Sequence, residues 1–384
     1  MVARFYNAPM VATHDICIRG SGIVARTLAL LLARERLRVA LATGQATPSA
    51  APDVRAYALN DASRALLDSL RCWPAVQDAT PVLRMEVFGD DGGAVHFDAA
   101  EQGAAALAWI VDVSALEALL ADAVRFQPRI EVVAEPVEAT LTVVCEGRAS
   151  STREAYGVQY EVTPYEQHAI ATRLRCARPH GQVARQWFAG AEILAFLPLG
   201  GPQGDTVAVV WSVPPARAEA LLAEDEAGFC AAIEAASGSA LGAVQLVAER
   251  ARWPLQLARA ARWVGSGWAL AGDAAHSVHP LSGQGLNLGL ADAVALARTI
   301  HQREYWRSVG DLRLLRRYER ERAADVWLTG SVTDALQRLF LAPGEAARTL
   351  RNRGLSGFDR AGWLKHWVAQ RAMNLSAAQT FPPH

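Results

Sequence analysis

Lysine is the scarcest charged residue in this chain. Lys365 stands alone, so arginine supplies all the rest of the 38 basic residues, which face 39 acidic ones. A formal net charge of −1 over 384 residues leaves no uncompensated basic surface, and that argues against sequence-independent nucleic-acid binding. Cysteine is sparse too. The five (Cys17, Cys72, Cys145, Cys176 and Cys230) are scattered and odd in number, with no C-x-x-C pair suited to a metal; a reduced, intracellular protein is the simplest reading. Long apolar runs are missing. The most apolar early stretch, Leu28 to Thr43, is broken by Arg34, Glu35, Arg36 and Arg38, whereas a bilayer span needs about 20 residues. The N-terminus shows no apolar core ahead of a small-residue cleavage site, so a soluble or at most membrane-peripheral protein is expected. With 51% hydrophobic and 20% charged residues, disorder is excluded. At about 150 residues per domain, the length fits two domains or one doubly wound unit with an insertion.

What is present has an order. Residues 15 to 19 (DICIR) read as a strand, Ile23 to Arg34 as a largely buried helix and Arg38 to Ala42 as a second strand, which together make a βαβ unit with a parallel sheet. Residues 53 to 70 take helical spacing after a polar opening. VLRMEVFGD and AVHFD flank Asp91, Gly92 and Gly93 as a hairpin, and Ser114 to Val124 reads as a helix with Ser114 as N-cap and Glu117 at the capping-box position. Between Val158 and Val213 short strands with Pro and Gly punctuation point to a second, sheet-based domain. Residues 215 to 236 are helical, Trp268 to Ala271 a strand, Leu286 to Ile300 a helix, and Leu312 to Met373 mostly helical.

Two segments could carry chemistry. Gly20-Ser-Gly22-Ile-Val-Ala25 is a G-x-G-x-x-A turn between strand and helix: the first glycine permits the turn, the second lets a phosphate approach, and a small third residue lets helix and strand pack. The helix start then offers free N–H groups and a partial positive charge to a pyrophosphate. Such turns also close strand-helix junctions for steric reasons alone. The acidic residue that usually ends the second strand of a dinucleotide fold is missing, since Thr43 stands there. The second segment is GDAAHSVHPLSGQGLNLGL, Gly272 to Leu290. An aspartate at a strand end can accept sugar hydroxyls, and a glycine-rich helix start presents donors to an anionic or carbonyl-bearing ring. Taken singly, each half could be an ordinary cap and loop. His276 and His279 lack a third ligand, so no metal is expected.

Together these residues resemble the group A flavoprotein aromatic hydroxylases with the para-hydroxybenzoate hydroxylase fold, and more narrowly the ubiquinone-biosynthesis hydroxylases. DVRAYALNDASRALLDSLRCW, YEQHAI (Tyr165 to Ile170), FAGAEILAFLPL (Phe188 to Leu199) and LRNRGL (Leu350 to Leu355) carry the narrower likeness, which covers nearly the whole chain. The resemblance implies an α/β protein with a Rossmann-like FAD-binding domain (1–75, 100–165 and 260–335). It is interleaved with a mostly antiparallel substrate sheet (76–99 and 166–259) and followed by a helical C-terminal segment (336–384). It assigns Gly20, Gly22 and Ala25 to the FAD pyrophosphate, Arg55 to its phosphates, Asp273 to the ribityl or pyrophosphate region, Pro280 to the flavin face, and Gly283, Gly285, Leu286 and Asn287 to its pyrimidine edge. The FLPLGG strand, with Phe196 and Pro198, is expected as the substrate-facing wall, with core packing the other use open to Phe196.

Three positions depart from the family pattern. Thr43 replaces the ribose-binding acid, Cys145-Glu146-Gly147 stands where Ala-Asp-Gly is usual at a site handling both FAD and NAD(P)H, and Arg19 occupies a position usually small. A charge-assisted hydrogen bond lost at Thr43 would cost ~1.5–3 kcal/mol, so weakened but retained FAD binding is expected. The implied reaction is hydroxylation of a phenolic ring, with a polyprenylated ubiquinone precursor as the expected substrate. NAD(P)H would be the donor, and O₂ would react through a flavin C4a-hydroperoxide. The alternatives are a non-catalytic scaffold in quinone biosynthesis and a flavin reductase without oxygen insertion. A cytoplasmic location is expected, with room for peripheral attachment at the inner membrane face, for a biosynthetic complex or for a homo-oligomer. The tail bearing Trp363, Lys365, His366, Trp367 and Arg371 is expected to pack on the body, membrane or partner contact being its other use.

Overall fold

In the computed structural model of the chain, residues 13–44, 54–89, 92–277 and 284–341 are described, with 328–341 as backbone. The opening strand, His14–Arg19, and the helix Ile23–Arg34 are built from one run of apolar side chains: Ile16, Ile18, Leu28, Leu31 and Leu32 share a single core. Because the helix buries nearly all its faces, it must be covered on several sides, and the rest of the α/β unit does so. Six strands form its sheet in the order Val264–Gly265, Trp268–Leu270, Ala139–Val144, His14–Arg19, Val39–Ala42, Ile130–Val133. All pairings are parallel except the first. The strand ends that carry Arg19, Ala42 and Val144 therefore lie side by side at one edge, where ligands of open α/β sheets bind.

The second layer is a nine-stranded sheet in which Tyr160–Cys176, Thr206–Val213, Glu192–Leu199 and Val183–Ala189 form the centre, all antiparallel. The hairpin Arg84–Phe88 and Ala94–Asp98 extends it, joining Val183–Ala189 in parallel. The helices Pro215–Ala223 and Glu226–Ala236 cover one face through Trp211, Phe229, Ile233 and Phe196. The opposite face meets a three-stranded sheet, Ala56–Leu59, Ala108–Asp112 and Ala79–Val82, through Val82, Ile110, Leu199 and Ala208.

Two local expectations are corrected. Residues 56–59 form a strand before the helix Asp61–Ser69 begins, because Ala108–Asp112 offers them a pairing partner that lies far along the chain. The helix Val113–Arg125 is capped by Asp112, whose Oδ1 accepts from Ala115 N at 3.2 Å, and Ser114 lies inside it. The other Asp112 oxygen pairs with Arg173 Nη1 at 2.5 Å, which ties the helix to the large sheet.

Candidate active site

Gly20 sits at φ +136 and donates its N–H to the Ala42 carbonyl at 2.9 Å. A Cβ here would lie 2.3 Å from the Cys145 carbonyl oxygen, so only glycine lets the first turn pass the end of the strand Ala139–Val144. Gly22 is different: its φ of −80 suits any residue, and an added Cβ would meet nothing within 4 Å. No side chain caps the helix it starts, so its first-turn N–H groups have no capping side chain, the arrangement that receives an anion. Ala25 is fully buried, as close helix-strand packing requires.

Val24 in the same turn brings the distant half of the site to this one. Its side chain lies 3.5 Å from where a Gly272 Cβ would stand and 2.7 Å from where a Gly289 Cβ would stand, so both glycines let the strand end and the helix Gly285–His301 close on the first helix. Gly272 donates its N–H to Asp292 Oδ2 at 2.9 Å. The next two carbonyls are clamped as well: Tyr160 donates its hydroxyl to Asp273 O at 2.8 Å, and Arg153 donates from Nη1 to Ala274 O at 3.2 Å while lying 3.6 Å over the Tyr160 ring. The Asp273 side chain is exposed, yet protein encloses it closely enough that burial raises its carboxyl pKa, against the opposing charges of His276, Arg148 and Arg55. Arg55 itself is exposed and donates to the Tyr57 hydroxyl at 3.2 Å.

Behind this loop lies a buried ionic centre. Asp292 accepts from Arg322 Nε at 2.8 Å and lies 2.6 Å from His276 Nε2; all three side chains are almost wholly inaccessible, and His276 stacks on Trp263. Burial opposes ionisation of Asp292, but His276 and Arg322 outweigh it and hold its carboxyl below the usual range. Sequence reading passed over Asp292, Arg322, Tyr160 and Arg153. A signal was available for the first: a carboxylate inside the apolar run LGLADAVALA must find a cation.

At the start of the helix Gly285–His301, Asn287 turns its side chain inward. Its Oδ1 accepts from Asn60 N at 3.1 Å and Ser63 Oγ at 2.7 Å, and its Nδ2 donates to Ala58 O at 2.8 Å. The side chain thus anchors the helix, and only the first-turn backbone N–H groups remain to meet a ligand; no side chain caps them among the described residues. Leu286 is buried. Pro280 and Gly283, with His279, lie outside the described residues.

The departures at 19 and 146 meet each other. Arg19 Nε donates to Glu146 Oε1 at 2.8 Å, and the same carboxylate takes Ser150 Oγ at 2.7 Å, Thr152 Oγ1 at 2.6 Å and Thr152 N at 3.2 Å. Although burial opposes it, the hydrogen bonds from Thr152 and Ser150 hold the Glu146 carboxyl below the usual range. The longer acid reaches the added guanidinium. Arg19→Gly and Glu146→Asp should each cost about 1–2 kcal/mol, and the double variant less than their sum; strictly additive urea-unfolding free energies would contradict a coupled pair. Thr43 donates its N–H to Val133 O at 3.0 Å and keeps its hydroxyl 3.4 Å from Gly44 O.

Of the two uses open to Phe196, its burial favours core packing: it is 1% exposed and packs edge-on to Trp187 under the two helices. Strand alternation places the buried Pro198 on the same face and turns Ala195 and Leu197 to the other.

Two strand ends, two uncapped helix starts and an enclosed carboxylate along one edge define a dinucleotide-binding α/β protein. The profile described as "FAD binding domain" matches residues 97–331. The chain is 32% identical to the "3-demethoxyubiquinol 3-hydroxylase" of Escherichia coli K12, over 94% of this chain and 98% of the relative. It is likewise 32% identical to the "Ubiquinone hydroxylase UbiL" of Rhodospirillum rubrum, over 96% and 91%. The crystal structure of p-nitrophenol 4-monooxygenase PnpA from Pseudomonas putida DLL-E4 superposes with a TM-score of 0.74 at 16% identity, covering 94% of this chain and 98% of that one. The chain belongs to the FAD-dependent aromatic hydroxylases, the flavoprotein monooxygenase family.

Proposed function

We propose that the protein hydroxylates the ring of a prenylated phenol or quinol on the route to ubiquinone. The observation that carries this reading is the end-to-end match to two ubiquinone hydroxylases, which spans both the nucleotide-binding layer and the large sheet. The residues at the strand ends fit FAD: Gly22 leaves open space where a phosphate would approach, and no side chain caps the first-turn N–H groups of the helix Ile23–Arg34. When bound, FAD reduced by NAD(P)H supplies activation of O₂ and transfer of one oxygen atom to an electron-rich ring, the other leaving as water.

The chain's own contribution is positioning and charge. Gly20, Gly22 and Ala25 would form the pyrophosphate turn, with Arg55 adding charge toward the phosphates. Asp273, fixed by its clamped backbone, would accept sugar or ribityl hydroxyls, and the N–H groups of Gly285, Leu286 and Asn287 would stabilise negative charge at the ring edge. Pro280 and Gly283 would complete the flavin side. Thr43 would leave the ribose less firmly held, and Glu146, engaged by Arg19, would act through the position of the turn. Ala195 and Leu197 replace Phe196 as candidates for the substrate side.

The test is to titrate the purified protein with FAD, then follow NAD(P)H consumption and product formation with prenylated phenols. FAD uptake with a hydroxylated product is expected. No uptake at saturating FAD would leave the scaffold reading, and oxidation without hydroxylation the reductase reading. Asp273→Ala should lower FAD affinity about tenfold to a hundredfold with unchanged circular dichroism; undiminished affinity would remove Asp273 from the site.

A further inference from the structure

The large sheet has an opening in the middle of one face. Leu194, Phe196, Val209 and Trp211 pack under the two helices, so alternation turns Ala195, Leu197, Val210 and Ser212 to the other side. The register sets this side in rows. Ala171, Val210, Ala195 and Gln186 stand opposite one another across four strands, and Ala169, Ser212 and Ile193 form the next row. Around the middle, Ala169, Ala171, Ile193, Ala184 and Ala208 are buried, whereas Val210, Ala195 and Leu197 in their midst are only half-buried. These three lie on interior strands, so their exposure marks a hollow over the sheet and not its rim.

Two polar side chains border the hollow. Ser212 is 3% exposed and Gln186 7%, and the side chain of neither makes a hydrogen bond among the described residues. A buried hydroxyl or amide without a partner is costly, and such groups are ordinarily satisfied. Both therefore call for a ligand. Charge narrows what that ligand can be. The nearest cation on this face is Arg173, two residues from Ala171, and it is held by Asp112 Oδ2 at 2.5 Å and by the carbonyls of Val54 and Arg55 at 3.3 and 3.2 Å. No other cation borders the hollow on these strands.

We propose that Ser212 and Gln186 select and orient the ring substrate through hydrogen bonds to its uncharged oxygens, and that the hollow rejects a ring bearing a carboxylate. By two strand spacings and two residues of rise, the two Cα atoms stand about 12 Å apart, with Val210 and Ala195 between them. One substituted ring fits that span. A hydroxyl donates and accepts at one atom and a primary amide at two, so phenolic hydroxyl and ether oxygens are both served. A carboxylate would carry its charge onto an apolar floor with no cation to meet it. The inference rests on the hydroxylase reading and deepens it, by naming two specificity-determining side chains and the ring chemistry they accept.

The experiment titrates the FAD-loaded full chain with a 2-methoxyphenol bearing a short prenyl chain, and with the same ring carrying a carboxylate, and reads dissociation constants from the perturbed flavin absorbance. The uncharged ring should bind at least about tenfold tighter. Ser212→Ala and Gln186→Leu should each weaken its binding about fivefold to tenfold, with the parent's flavin content. Without ligand, both variants should unfold at or above the parent's temperature, because each removes an unpaired polar group. Gln186→Arg should narrow or reverse the preference between the rings. Equal affinity of the parent for both rings would overturn the proposal, and so would variants that bind the uncharged ring as the parent does or that lose thermal stability with an unchanged dissociation constant. In each of those cases hydroxylation by the parent would still uphold the hydroxylase reading. Neither binding nor hydroxylation of either ring would end both.

Discussion

Asp292→Ala is expected to destabilise the protein by about 3–5 kcal/mol, because it takes from the fully buried Arg322 its buried carboxylate at Nε and leaves it only the half-exposed Asp325 at Nη1. The same change removes the acceptor of Gly272 N–H and the partner of His276, so the loop bearing Asp273 loses its anchor as well. Chemical denaturation with intrinsic fluorescence measures the stability, and FAD titration of the surviving folded fraction measures the second effect. Asp292→Asn keeps the volume and separates charge from packing. The pH dependence has a definite sign. The folded-state carboxyl is held below its ordinary value of 3.8, so its stabilisation is complete above that value and is lost as pH falls through the lower folded one. The asparagine variant should therefore have a flatter acid limb in its stability profile. A parent-like loss of stability toward low pH would show that Asp292 is not the titrating group.

Gly20→Ala and Gly22→Ala should fail in opposite ways. At Gly20 the new methyl meets the Cys145 carbonyl at 2.3 Å on a backbone with φ +136, so strain and overpacking together should cost about 2–5 kcal/mol. At Gly22 the methyl enters open space on an ordinary backbone, and stability should stay within about 1 kcal/mol. If the turn receives the FAD pyrophosphate as proposed, the methyl would stand in the approach of a phosphate, and FAD affinity should fall about tenfold or more. Thermal unfolding of the apoprotein paired with flavin titration distinguishes the two. Equal destabilisation by both substitutions would contradict the division of labour between the glycines.

How much could be read in advance depended on how local the signal was. The helix Ile23–Arg34 and its glycine turn were legible because both are written in adjacent residues: apolar positions around the circumference, glycine at the tight turn and a small residue at the packing point. The strand Ala56–Leu59 was not, since its sequence tolerates a helix and only pairing with Ala108–Asp112 decides otherwise. Phe196 shows a different limit. Both faces of its strand are apolar because both are covered, so alternation separates Phe196 from Leu197 without telling which one meets the helices. Asn287 marked the right helix start, but its side chain serves Asn60, Ser63 and Ala58, partners more than two hundred residues away that spacing alone does not name. The odd pair Arg19 and Glu146, two unrelated departures in the sequence, becomes a single ionic contact once parallel strands place their ends together.

The seating of Val24 on Gly289 has a consequence for synthesis. The two residues are roughly 265 positions apart, and at about 5–20 residues per second a ribosome needs on the order of a quarter of a minute to a minute to cover that distance. Throughout that interval the first helix, apolar on nearly every side, lacks the part of its packing surface that the helix Gly285–His301 supplies. The edge that would receive FAD comes into being only when Gly272 and Gly289 arrive. The cofactor therefore meets a nearly finished chain, and nascent fragments that stop short of those residues will not retain flavin.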